Sequence, residues 1–236
     1  MRQSACAGFL ALCVLFAGTP VVAQERSGGW TLSGGFDLLE LRAGKGNDVS
    51  LWDATFSLGN SSDQLRLVTS GGGALGNQID EVDARFFYGR TIGATTLLVG
   101  VRKDIKPHSG DTHATIGAQG TVGARLNWES YLFLSDNGRV TAEAQTIYQL
   151  PITQKLYLEP RVAVGWSAQG VAAEATRPGL TEAQATLRLR YSLTKHINAY
   201  TGVVHERLLG GTRRLGRQQG DALQSTMAVI GVGFSL

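Results

Sequence analysis

The chain alternates between apolar and polar positions with a period of two along most of its length, and the pattern is cleanest at its end. Residues 225–236 read S-T-M-A-V-I-G-V-G-F-S-L. Ala228, Ile230, Val232, Phe234 and Leu236 therefore share one side of a strand, while Met227, Val229, Gly231, Gly233 and Ser235 share the other. One side is bulky and apolar, and the other is mostly small. A strand that stays amphipathic to its last residue suits the closing strand of a β-barrel in lipid, where every backbone N–H and C=O needs a cross-strand partner. A buried strand of a soluble sandwich carries the same alternation.

The same period predicts strands over 30–42, 49–59, 64–71, 79–91, 95–105 and 112–122, and then over 126–135, 139–150, 155–168, 181–193 and 197–208. With 225–236 the total is twelve, and an even number returns both termini to one side of a closed antiparallel barrel. Charges keep to one parity within these strands. Leu97, Val99 and Val101 oppose Arg102 and Asp104; Leu156, Leu158, Val162, Val164 and Trp166 oppose Glu159 and Arg161; Ala185, Leu187, Leu189 and Tyr191 oppose Glu182, Gln184, Arg188 and Arg190. In lipid the apolar row faces outward. The lumen then receives Arg66, Arg85, Arg102, Arg161, Arg188 and Arg190 together with Asp53, Glu81, Asp83, Asp104, Glu129, Glu143, Glu159 and Glu182. Ion pairing that braces a narrow barrel is a plainer reading of this mixture than a selectivity filter. Trp52, Trp128, Trp166, Tyr88 and Tyr148 are candidates for interfacial girdles.

Connection lengths alternate as well. Residues 60–63, 92–94, 123–125, 153–154 and 194–196 form short links, whereas 72–78, 106–111, 169–180 and 209–224 are longer; 43–48 and 136–138 are modest exceptions. Short periplasmic turns and longer extracellular loops produce this sorting, and soluble barrels have no general reason for it.

Composition then fixes the compartment. Met1 and Arg2 open a basic segment, Ala5 to Phe16 is an apolar run too short for a comfortable membrane helix, and Val21-Val22-Ala23 resembles a cleavage site. Residues 1–23 read as a signal peptide and 24–236 as an outer-membrane β-barrel domain. Both cysteines, Cys6 and Cys13, fall in the leader, which excludes a disulfide scaffold or thiol chemistry in the mature chain. No long apolar run follows Ala23. The formal charge of +3 over 236 residues gives no electrostatic case for nucleic acid.

Catalytic signals are sparse. No G-x-S-x-G elbow accompanies the four histidines, and paired carboxylates for glycoside hydrolysis cannot be singled out among so many luminal acids. The sequence points away from an enzyme, with a lipid hydrolase the weakest alternative. The one metal-like constellation is the loop K-P-H-S-G-D-T-H, residues 106–113, where His108, Asp111 and His113 offer two imidazoles and a carboxylate. Such donors suit copper, nickel or zinc, although solvated loop histidines are commoner. Met227 is the only methionine beyond the leader, so no Met-rich copper(I) site is available.

Further stretches carry a family likeness: F-D-L-L-E-L-R at 36–42, L-W-D-A at 51–54, G-V-R-K-D at 100–104 followed by Pro107, and G-A-Q-G at 117–120. T-Q-K-L at 153–156, L-E-P-R at 158–161, L-R-L-R-Y at 187–191, Y-T-G-V-V-H-E-R at 200–207 and G-G-T at 210–212 continue it. In order and spacing the chain resembles the copper-resistance protein B family of outer-membrane β-barrels. It departs from that pattern at His205, Ser192 and Leu236, where the family usually has tryptophan, an acid and an aromatic residue, and only Gln24 to Gly29 stands where family members carry a Met- and His-rich leader. The resemblance implies an outer-membrane protein of copper homeostasis that handles copper ions at or across the membrane. Its partners would be outer-membrane lipid, copper ion and periplasmic copper-handling proteins. The alternative is a general channel or structural barrel without metal binding.

Overall fold

The structure is a computed structural model that describes residues 29–44, 48–76, 79–106, 110–171 and 175–236. The expected signal peptide and His108 lie outside the described residues. The strands are β1 (Thr31–Gly44), β2 (Val49–Gly59), β3 (Asp63–Ala74), β4 (Glu81–Ile92), β5 (Thr95–Lys106), β6 (Thr112–Val122), β7 (Leu126–Ser135), β8 (Val140–Tyr148) and β9 (Leu150–Pro151). They continue with β10 (Leu156–Ser167), β11 (Gly179–Ser192), β12 (Ile197–Leu208) and β13 (Gln224–Ser235). One helix, α1 (Gly210–Gln219), sits in the last long connection. Consecutive strands pair antiparallel and β13 pairs with β1, so the sheet closes on itself as a barrel.

β8 and β9 form a single stave interrupted at Gln149, which makes twelve staves in all. The cause lies in the neighbour. β10 keeps one register against both pieces, with Arg161 opposite Ile147 and Leu158 opposite Leu150, yet Glu159 and Pro160 have no partners on that side. In that register an N–H at position 160 would bond the carbonyl of Tyr148, and proline has none.

The closing seam joins Phe36 to Phe234 and Leu41 to Ile230, and the backbone N–H of Leu236 donates to the Gly34 carbonyl at 2.8 Å. A bulge in β1 at Asp37 and Leu38 shifts the register against both neighbours. Two consecutive side chains there turn inward, after which Glu40 and Arg42 resume the inner row while Leu39 and Leu41 face out.

Side-chain exposure divides the two faces. Ile230 is 62% exposed, and Val99, Ile116, Leu134, Val162 and Phe234 also lie open on the outer wall, whereas Glu40 and Arg188 inside are sealed at 1% and 0%. A surface this apolar is stable in lipid and not in water. The sequence expectation of apolar-out and charged-in is met by the structure. Tyr88 and Tyr148 lie on the outer wall toward the short turns, and Trp166 lies there toward the long loops. No helix of the described residues is long and apolar enough to cross a membrane. The long connections and α1 gather at the extracellular end and the short turns at the periplasmic end.

Ile230→Arg, near the middle of the outer row of β13, should destabilise the barrel by about 2–4 kcal/mol, while the same change at Leu236 should cost roughly 0–1 kcal/mol. Urea unfolding in lipid vesicles measures both, and equal effects at the two positions would contradict this placement.

Candidate functional site

The lumen carries three arrangements of charge. The first braces the wall formed by β1 and β10 to β12. Arg42 reaches Glu206 at 2.6 Å and Glu40 at 2.7 Å, and Arg188 holds the other oxygen of Glu40 at 2.8 Å. Arg161 contacts Asp37 at 2.7 Å and Glu159 at 3.1 Å, while Arg190 lies 3.2 Å from both. Four arginines meet four carboxylates, so the cluster is neutral and cross-links four staves. Tyr200 lies beneath it, with the Arg190 guanidinium 4.5 Å and that of Arg188 5.5 Å from the ring centroid. Gly231 makes room for that ring, since a Cβ there would stand 2.5 Å from Tyr200 Cζ.

The second arrangement spans β3 to β8. Arg85 pairs with Asp83 at 2.8 Å and Glu143 at 3.0 Å, Arg102 pairs with Asp104 at 2.7 Å and Glu143 at 3.1 Å, and Arg66 approaches Glu129 at 3.4 Å. An aromatic cluster supports it. Phe133 is fully buried, with the Arg85 and Arg102 guanidinium groups 5.2 and 5.1 Å from its centroid, and Tyr131 stacks on Phe87 at 5.4 Å. The luminal aromatic cluster was not expected from the charge pattern, although Phe87, Tyr131 and Phe133 share the inward parity of Arg85 and Glu129.

Between these walls lies a cavity of about 950 Å³. Its charged lining comprises Asp37, Asp53, Glu129, Glu143, Glu182 and Glu206 against Arg66, Arg85 and Arg161, an excess of carboxylates. The side chains of Asp53 and Glu182 make no ion pair or hydrogen bond among the described residues.

The third arrangement stands at the extracellular end, where the β5–β6 hairpin sets Arg102 opposite His113. Asp104, Asp111 and His113 each bring one donor atom within 4.8 Å of the others. His113 Nε2 lies 2.9 Å from Asp104 Oδ2, and Asp104 Oδ1 accepts from Arg102 Nε. Asp111 is held by Asn137 at 3.2 Å and by Arg139. His113 is buried to 8% exposure, its ring set edge-on to Phe133, and its Nδ1 has no hydrogen-bond partner among the described residues. Two members of the triad expected from the loop, Asp111 and His113, thus converge. Asp104 joins them, a residue the alternation had placed only among the luminal charges. Imidazole nitrogen with carboxylate oxygen is a donor set that copper(II) and zinc accept.

A closed twelve-stave barrel with a lipid-facing wall and a charged interior is an outer-membrane β-barrel. Residues 31–235 match the family model described as "Copper resistance protein B precursor (CopB)", and the chain belongs to that family. It is 26% identical over 197 residues to the copper resistance protein B homolog of Pseudomonas syringae pv. tomato, covering 83% of this chain and 67% of that protein. Against copper resistance protein B of Escherichia coli it is 28% identical over 188 residues, covering 78% of this chain and 62% of that protein. Among solved structures the NanC porin is similar in fold, with a TM-score of 0.55 and 13% identity over 87% of this chain and all (100%) of that one. The KdgM porin gives a TM-score of 0.50 and 8% identity over 86% of this chain and 99% of that one. Both likenesses are of fold alone.

Glu40→Gln removes the anion that Arg42 and Arg188 share and should cost about 3–5 kcal/mol in urea unfolding, because the sealed Arg188 loses its one close carboxylate while Arg42 keeps only Glu206. Asp53→Asn, at an unpaired carboxylate, should change stability by less than ~1 kcal/mol; comparable losses at the two positions would refute the division between bracing and lining charges.

Proposed function

We propose that this chain is a non-enzymatic outer-membrane protein of copper resistance that takes copper ions at its extracellular mouth and handles them along the acidic side of its lumen. The supporting observation is the convergence of Asp104, Asp111 and His113, linked through Arg102 to Glu143 of a carboxylate-rich cavity lining, in a member of the copper resistance protein B family. His108, outside the described residues, is the further imidazole the sequence offers to this set. In this reading copper is cargo. Neutral imidazole and carboxylate would replace part of its water shell, and the Arg102 and Arg139 contacts that now hold the two aspartates would yield to it. The excess of acids over arginines would then favour cations over anions in the cavity. Periplasmic copper-handling proteins are the partners this role calls for at the other end.

The neutral, internally paired cluster on β1 and β10 to β12 favours a second reading, in which the barrel is a structural or general channel protein without a copper site. Growth of a deletion strain separates the two. Loss of tolerance to copper, with zinc and nickel tolerance unchanged, supports the first reading. That tolerance should return with the intact gene and fail to return with a folded Asp104→Asn, Asp111→Asn, His113→Ala variant. Full rescue by that variant would remove the site.

Conduction gives an independent check. In planar bilayers under a salt gradient, the reversal potential of the intact barrel should report cation preference, and Asp53→Asn with Glu182→Gln should move it toward zero. A folded barrel that stays electrically silent would overturn passage through the lumen.

A further inference from the structure

Every arginine in the luminal wall has an acidic partner: Arg42, Arg66, Arg85, Arg102, Arg161, Arg188 and Arg190 all stand within 4.0 Å of a carboxylate oxygen. The extracellular rim above β11 to β13 differs. Arg177, Arg207, Arg214 and Arg217 are exposed there, and none of their side chains makes an ion pair or hydrogen bond among the described residues. Asp221 is the one acid in the connection that carries α1, while Glu182 and Glu206 belong to the luminal row.

The position of these arginines follows from the register. On the outer wall Val203 of β12 is 45% exposed beside Ala228 and Leu187. The next outward row is Ala185, His205 and Thr226, with His205 Nδ1 2.8 Å from Thr226 Oγ1, and the row beyond it is Ala183, Arg207 and Gln224. Lipid-compatible residues therefore give way to polar ones within two residue pairs, and Arg207 stands just outside the apolar belt.

α1, which follows β12 directly, carries Arg214 and Arg217 and is tied to β11 and to the connection that holds Arg177. Leu209 N donates to the Thr181 carbonyl at 2.8 Å, the buried Thr212 hydroxyl accepts from Arg177 N at 3.0 Å, and Gly216 packs beneath Leu208 and Leu223. Gly211 lets the two loops meet: a Cβ there would lie 2.7 Å from Arg177 Cβ and 3.8 Å from Arg214 Nη2. Arginine side chains from two different connections thus pass the same glycine, and their backbones are anchored by hydrogen bonds and packing instead of by acids.

We propose that Arg177, Arg207 and Arg214, flanked by Arg217, form a docking surface for the phosphate groups of outer-leaflet lipopolysaccharide. The leaflet surrounding the extracellular end of such a barrel presents phosphorylated glycolipid at the depth where the apolar belt ends. Guanidinium forks match phosphate oxygens in geometry and charge. The surface is independent of the copper reading, since it lies on the outer wall and rim, away from Asp104 and His113.

Binding of purified full-length barrel to bisphosphorylated lipid A, to enzymatically dephosphorylated lipid A, and to bisphosphorylated lipid A in the presence of inorganic phosphate tests the proposal. Dephosphorylation should weaken binding by roughly tenfold or more, as should Arg177→Gln, Arg207→Gln and Arg214→Gln combined, and inorganic phosphate should not displace the lipid. Equal binding of the two lipids, or unchanged affinity in the folded triple variant, would overturn it, and so would displacement by millimolar inorganic phosphate. If the triple variant fails to show the heat-modifiable band of a folded barrel, the comparison of the two lipids on the unaltered protein decides.

Discussion

Closure of the hydrogen-bond ladder is the constraint on which the rest of this protein depends. In hydrocarbon an unpaired N–H or C=O costs several kcal/mol, so a sheet in lipid is stable only without edges. The pairing of β13 with β1 removes the last two edges, and it does so with a strand whose outer row, Ala228, Ile230, Val232 and Phe234, is apolar throughout. That geometry dictates the interior as well. Side chains alternate, so an apolar outer wall delivers the polar half of every strand into one narrow lumen, where charges must pair or meet water.

The two walls of the lumen meet that demand differently. Along β1 and β10 to β12, four arginines and four acids are matched, with Glu40, Glu159 and Arg188 sealed and Asp37 and Glu206 reaching the cavity. Along β3 to β8, arginines lie against aromatic faces and pair with carboxylates that line the cavity, and Asp104 ties this wall to His113 at the mouth. One side of the lumen is thus closed mainly by ion pairs, and the other combines ion pairs with buried aromatic rings.

Much of this was legible in the sequence because alternation with period two is a physical requirement of a two-sided strand. The staves fall within a few residues of their expected bounds. β3 extends past its expected end because Gly71, Gly72 and Gly73 keep the ladder with β2 while carrying no side chain to alternate. Three features were hidden for local reasons. The β1 bulge interrupts the alternation, so Asp37 gave no sign that it would bind Arg161. α1 has no side-chain cap and few apolar residues; it is held by Thr212 and Gly216 against neighbouring loops, a tertiary effect that its own residues do not encode. Asp104 is nine residues from His113 and reaches it only through the hairpin register.

The bulge at Asp37 and Leu38 has a genetic consequence. Elsewhere in a strand a substitution changes one side chain in one solvent. Loss of a single codon at this position would straighten β1 and reverse the facing of everything on one side of the deletion, sending Phe36 toward the charges or Glu40 and Arg42 toward lipid. Replacement of Asp37 removes one anion from one cluster. Its deletion exchanges the solvents of a whole strand segment at the seam where the barrel must close, so this stretch should accept changes of residue far more readily than changes of length.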